Sequence, residues 1–279
     1  MTERTTSEKA TDGHATPGAL FQAGRLDDAI AAANAAVRAA PAEAAPRLLL
    51  AELLLFSGNV QRADTLLDAL TTMEPAVALP VAVFRQLLRA EEARRQVWTE
   101  GRVPEFLGAP PGHLIRLLEA LVALRTGETA EALRLAHEAE AARPPASGTL
   151  DGAAFEDFRD ADDLCSGFLE VLTTTGKYFW IPTERIAEAV FHKPARPRDL
   201  FWRRVTLSVR DGPEGDVFVP ALYLAPDPHQ PDPIRLGRAT EWTGGDGAPV
   251  RGLGQRMFLV GEEGRTVMEL GALAFYGAS

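Results

Sequence analysis

The chain has 279 residues, 46% of them hydrophobic, with 39 acidic against 29 basic side chains and a formal net charge of −10. That composition excludes wholesale disorder, and the acidic balance argues against a nucleic-acid backbone as the partner. No apolar run approaches the ~20 residues of a membrane span, and the single cysteine, Cys165, leaves no internal disulfide and no all-cysteine metal site.

Residues 1–16 are polar and lack the apolar core of a signal peptide, so a disordered tail and a cytoplasmic location are expected. The chain then repeats itself. Gly24, Ala29 and Pro41 recur 34 residues later as Gly58, Ala63 and Pro75, and Gly127, Ala132 and Pro144 keep the same internal spacing. Thirty-four residues is the tetratricopeptide period. Each mark has a physical job: glycine caps the first helix of a pair in the left-handed conformation, alanine lets two helices approach, and proline stops the second. Apolar residues at three- and four-residue steps, such as Leu48, Leu49, Leu53 and Phe56, supply the helix face. An alanine-rich hairpin array with accidental spacing is the alternative, and three matching triplets weigh against it. Residues 17–147 are thus expected to form a tetratricopeptide-like stack with a degenerate repeat in its middle. Such stacks bind peptide segments on a concave face.

The middle stretch, residues 81–108, carries Arg85 and Arg89 with Glu92 on one helix face. It reads either as a solvated face with internal ion pairs or as a recognition strip anchored by Phe84, Trp98 and Phe106.

Past Pro145 the pattern changes. Gly148 to Gly152 reads as a linker and Phe155 to Leu172 as one more helix. Short β-type runs follow at Tyr178–Ile181, Ile186–Phe191, Leu200–Val209, Val217–Leu224, Met257–Val260 and Thr266–Leu270, separated by turn clusters such as Asp211-Gly212-Pro213 and Pro226-Asp227-Pro228. Residues 148–279 are expected to be a linker helix and a small, mostly antiparallel β domain. The fold class is α+β, with helices first and strands second.

Little here points to catalysis. Asp157, Asp160 and Asp163 would share a face of the expected helix, where acids suit its N-terminal dipole. They could instead meet a partner or, as a remote alternative, hold the metal of a hydrolase. The histidines are unpaired at helical spacing, Gly252-Leu253-Gly254 lacks the third glycine of a dinucleotide loop, and there is neither a P-loop lysine nor a nucleophile elbow. No cofactor and no metal are expected. The aromatic and basic residues around Tyr178, Phe179, Trp180, Phe201, Trp202, Arg203 and Arg204 read as core, or, where a strand turns one outward, as a protein-binding patch.

Residues 85–108, RQLLRAEEARRQVWTEGRVPEFLG, and the runs FEDFRDADDL, TGKYFWIPTERI, RPRDLFWRR and RDGPEGDVFVPALY resemble the ImpE/SciE family, also called TagJ, of bacterial type VI secretion clusters. The likeness spans nearly the whole chain after residue 17 and is poorest over residues 225–251. It implies a cytoplasmic, non-enzymatic protein that binds the N-terminal helix of the small contractile-sheath subunit (TssB type) and is linked to the ClpV ATPase that recycles sheaths. A helical groove suits such a partner helix; neither nucleic acid nor membrane is implied. Contact residues are expected in the motif stretches: Arg85, Arg89, Trp98 and Phe106 in the first, and Asp157, Asp160, Trp180, Trp202 and Arg203 in the second.

Overall fold

A computed structural model describes residues 15–224 and 229–277. Most of the expected disordered tail and the Pro226-Asp227-Pro228 turn lie outside the described residues. Seven helices come first: α1 (Pro17–Gln22), α2 (Leu26–Ala39), α3 (Ala44–Phe56), α4 (Val60–Met73), α5 (Ala78–Glu100), α6 (Gly112–Arg125) and α7 (Thr129–Ala142). Gly24, Gly58 and Gly127 sit at the turns of the pairs α1–α2, α3–α4 and α6–α7 with φ of 79°, 70° and 84°, where a side chain would be strained. Ala29, Ala63 and Ala132 are fully buried. The middle repeat is reduced to one helix. At 23 residues α5 is the longest, and after it the chain leaves the stack. The Glu105 amide donates to the Tyr178 carbonyl at 3.0 Å and the Trp180 amide to the Glu105 carbonyl at 3.1 Å, before α6 resumes. Among the described residues no helix is long and apolar enough to cross a membrane.

Thirteen strands among the described residues follow: β1 (Gly148–Leu150), β2 (Ala153–Phe155), β3 (Phe158–Asp160), β4 (Phe168–Leu172), β5 (Tyr178–Pro182), β6 (Ile186–Phe191), β7 (Trp202–Val209), β8 (Glu214–Pro220), β9 (Thr240–Gly245), β10 (Ala248–Gly254), β11 (Met257–Val260), β12 (Glu263–Thr266) and β13 (Ala272–Phe275), with a short helix α8 (Asp232–Arg235) ahead of β9. Eight form one antiparallel sheet in the order β2-β1-β13-β6-β7-β8-β4-β5; β12-β11-β3 and β10-β9 are smaller sheets.

Two expectations are overturned. The linker at 148–152 is strand β1 and its turn. The helix over 155–172 is three strands and a loop. The aspartates that suggested a helix start instead accept from the chain's own turns: Asp160 from the Asp162 amide and Asp162 from the Leu164 amide, both at 2.9 Å. Such local acceptance competes with a helix ladder. Every residue of β4 is buried, as in a strand covered on both faces. Smaller shifts also occur: the strand expected from Leu200 starts at Trp202 after a tight turn at Pro197–Leu200, and that expected at Thr266–Leu270 ends at Thr266. The Gly244-Gly245-Asp246-Gly247 cluster, hairpin-like in the sequence, is the turn between β9 and β10, two strands that the apolar runs do not mark.

The large sheet divides two cores. On one face Val205, Leu207, Val209, Val219 and Ile181 pack with Phe158, Phe258 and Phe275. On the other Trp180, Trp202, Phe218 and Leu172 join a core that runs on through the helices to Phe21 and Leu20. Burying each such aromatic or leucine contributes about 1.5–3 kcal/mol, so the sheet and the helices stabilise one another. From Leu50 to Phe56 every residue of α3 is buried, because one side packs on its helical neighbours and the other on the β part.

Candidate partner-binding site

The joint between helices and sheet is polar at its centre. Helix α5 presents Glu91, Arg94 and Trp98 at steps of three and four, one face of the helix. That face meets Glu170 of β4, which is fully buried. Arg94 donates to the two Glu170 oxygens from Nε (2.9 Å) and Nη2 (3.2 Å), to Glu91 Oε1 (3.1 Å) and to the Leu222 carbonyl (3.0 Å). Trp98 Nε1 donates to Glu170 Oε1 at 3.0 Å, and Tyr178 and Arg256 donate to the same carboxylate. Burial alone would raise the pKa of Glu170, but the Arg256 and Arg94 guanidiniums hold it far below the usual carboxylate range. Arg256 also faces Asp160 at 3.4 Å, and the Tyr223 hydroxyl donates to Asp160 at 2.7 Å.

This network places five expected contact residues inside the protein. Trp98, Trp180, Trp202, Arg203 and Asp160 are each at most 7% exposed, so the expectation that they face a partner is corrected. Trp202 donates to Glu91 Oε2 at 2.8 Å, and Trp180 donates to the Tyr178 hydroxyl at 2.7 Å while stacking on Phe168 at 3.9 Å. Arg203 is bound by backbone carbonyls, from Nε to His192 (2.6 Å) and from Nη1 to Val267 (2.7 Å). Phe106 is half-buried, its ring 6.4 Å from and nearly perpendicular to Trp180. Arg85 pairs with Asp64 and Asp68 of α4 at 2.7 and 2.6 Å, a tie between helices. Asp157 accepts from both Arg143 terminal nitrogens and from the Ala146 amide. Arg89 remains exposed.

The other aspartates of the acidic run are also engaged. Asp162 accepts from Arg251 and the Gly252 amide, and Asp163 from the Val250 amide. Among the described residues no group of three His, Cys, Asp or Glu side chains could hold a metal ion. Cys165 is buried, which pushes its thiol well above its ordinary pKa.

The first helices are covered by the β part of the chain. Phe201 stacks edge-on against Phe56 at 5.4 Å, and Phe56 lies 5.3 Å from Phe21. Arg198 lies 4.0 Å from Glu52. Asp232 accepts from the Leu26 amide at 3.1 Å, and Arg238 donates to the Phe21 and Gln22 carbonyls. Among the described residues a 220 Å³ cleft opens at the α3–α4 turn, between the helices and the β part, walled by Phe56, Val60, Phe201, Leu224 and Ile234 with Glu91, Arg94 and Arg95 among its lining. An apolar wall with charge beside it suits one or two side chains of an amphipathic helix. The sequence marks Phe56 as a packing residue and Phe201 as either core or, if turned outward, part of a protein-binding patch. Ile234 and Leu224 reach the cleft from about 170 residues along the chain, a closeness that no local spacing encodes.

Comparison with known proteins accords with this architecture. Residues 152–274 match the family model of the ImpE protein, and residues 20–78 match a tetratricopeptide repeat. The type VI secretion system accessory component TagJ of Pseudomonas aeruginosa is 33% identical over 258 residues, covering 92% of this chain and 89% of that protein. The crystal structure of a Vibrio parahaemolyticus protein superposes with a TM-score of 0.86 at 25% identity, covering 94% of this chain and 98% of the other. The helical repeat, the β part and the order of the two are therefore shared along nearly the whole chain, which belongs to the ImpE/TagJ family.

Proposed function

We propose that this protein is a cytoplasmic, non-enzymatic accessory adaptor of a type VI secretion system. In this reading it binds the N-terminal helix of the small contractile-sheath subunit and is thereby linked to ClpV-dependent sheath recycling. The observation that carries the reading is the likeness to the TagJ accessory component over 92% of the chain. The titratable groups at the joint fit this reading: the buried carboxylates Glu170 and Asp162 are held by arginines and backbone amides, which suits a static joint better than proton transfer. With the first helices covered by the β part, the partner helix is assigned to the cleft at Phe56, Val60 and Ile234.

The test is isothermal titration with a synthetic peptide of the sheath small subunit's N-terminal helix from the same genome. Saturable one-to-one binding is expected. Val60→Glu should abolish it, because the carboxylate enters the apolar cleft while the first position of α4 tolerates an acid. Absence of heat and of competition at high peptide concentration would reject the sheath reading. A pull-down that then recovers other secretion components would favour a general scaffold.

A further inference from the structure

Strand β7 puts Trp202 against the helices, while Arg204 and Thr206, on the same face, come out into solvent beside Glu188 and Val190 of β6. At this emergence lies a second cleft, of 180 Å³, lined by His192, Lys193, Arg196, Arg198, Asp199 and Arg204 over Phe218. In a chain of net charge −10, it gathers four permanent cations around one carboxylate.

The cations form two layers. Lys193, Arg196 and Arg204 are exposed at the mouth. Arg204 is paired with Asp216 at 2.5 Å, whereas among the described residues neither Lys193 nor Arg196 closes a salt bridge, Arg196 acting on the buried Glu52 only through space. Arg198 forms the inner layer, its side chain 12% exposed, its guanidinium 4.9 Å above the Phe84 ring, and Glu52 and Asp199 each no nearer than 4.0 Å. Its Nε is buried between the Glu52 and Asp199 carboxylates, so its charge is felt at the cleft from beneath. The carboxyl behind it, Glu52, is pushed by burial up to about 7, so near neutrality it only partly offsets the guanidinium. The loop is held in shape: Pro194 and Pro197 fix its backbone, and the Ala195 and Arg196 amides both donate to Asp199 Oδ2, at 2.9 and 3.2 Å. Asp216 and Glu188 bound the cleft along the sheet, so the cations do not continue into a track that a nucleic-acid backbone would need.

We propose that this cleft is a second docking site, one that takes an acidic segment of a partner protein. Lys193 and Arg196 at the mouth meet its carboxylates, and the Arg198 charge beneath them adds to the attraction. The inference rests on the adaptor reading for its first probe and on the cleft alone for its second.

The experiment is fluorescence anisotropy with the full chain and the labelled sheath-subunit peptide, compared with the same peptide in which every Asp and Glu is replaced by Asn or Gln. Wild type should bind the native peptide about tenfold more tightly than the neutral one, and the advantage should shrink with salt. The double variant Lys193→Glu/Arg196→Glu alters two exposed side chains that close no salt bridge among the described residues and should lose that advantage while still binding the neutral peptide. Equal binding of the two peptides by wild type, or an undiminished preference in the variant, overturns the docking site and leaves the adaptor reading standing. If the sheath peptide does not bind at all, the adaptor reading fails. The cleft is then judged on an array of overlapping peptides from the other proteins of the same secretion cluster. Retention of acidic peptides by wild type and not by the double variant supports the site; retention by both, or by neither, rejects it.

Discussion

Glu170→Gln is the sharpest probe of how the two parts are held together. The substitution keeps the shape of the side chain and removes its charge, leaving Arg94 and Arg256 to share Glu91 and Asp160. Breaking a buried ion pair by removing one partner costs about 3–5 kcal/mol, a large share of the ~5–15 kcal/mol that stabilises a typical domain. Trp98, Trp180 and Trp202, three of the four tryptophans, lie in or beside the network, so intrinsic fluorescence followed through urea unfolding reads the joint itself. The midpoint should fall accordingly, with helix content by circular dichroism retained in water. The linkage has a sign: a folded-state pKa depressed below the ordinary 4.5 means stability present above that pH and lost progressively as the pH falls below it. The acid-induced loss seen in wild type should therefore be much smaller in Glu170→Gln. A variant within about 1 kcal/mol of wild type, with an unchanged acid limb, would refute the claim that this carboxylate holds the joint as an anion.

Glu52, raised to about 7, behaves oppositely: its contribution is fully present below its ordinary 4.5 and is lost as pH rises towards 7. Glu52→Gln should flatten the fall in stability between those values, as thermal melts across a pH series will show. Gly58→Ala has open space but a φ of 70°, and should cost about 1 kcal/mol in urea titration. Gly252→Ala runs its Cβ into the Tyr223 ring and should cost clearly more; the reverse order would contradict the packing described. Arg203→Lys cannot serve the His192, Val267 and Leu270 carbonyls together, and should lower stability by about 2 kcal/mol, with faster hydrogen exchange at residues 267–271 as its signature.

The parts of the fold that were legible in the sequence are those whose cause is local. Glycine in the left-handed cap, alanine at a helix contact and proline past a helix end leave their mark at fixed spacing, and β6 and β11 were located to the residue by their apolar runs and turns. The acidic run was misread because aspartates favour a helix start and a tight turn for the same reason, a carboxylate accepting nearby amides, and only the partners in space decide between them. Trp98 and Trp202 were misjudged because their acceptors are remote: Trp98 and Glu170 stand 72 positions apart and Trp202 and Glu91 stand 111 apart. Glu91 and Arg94 amid Leu87, Leu88, Ala90, Ala93 and Val97 were the available hint, since charges on an apolar helix face need a counterpart across it.

Cutting this chain between Ser147 and Gly148 would divide a set of matched charges between two polypeptides. The helical piece would keep Glu91 and Arg94; the other would keep Glu170, Arg256 and the Trp202 that donates to Glu91. Each fragment would display an apolar face with ions set into it, a poor surface for water and a specific one for its lost counterpart. Co-expressed, the two pieces should reassemble through these matched charges, and the extent of reassembly would report on the joint.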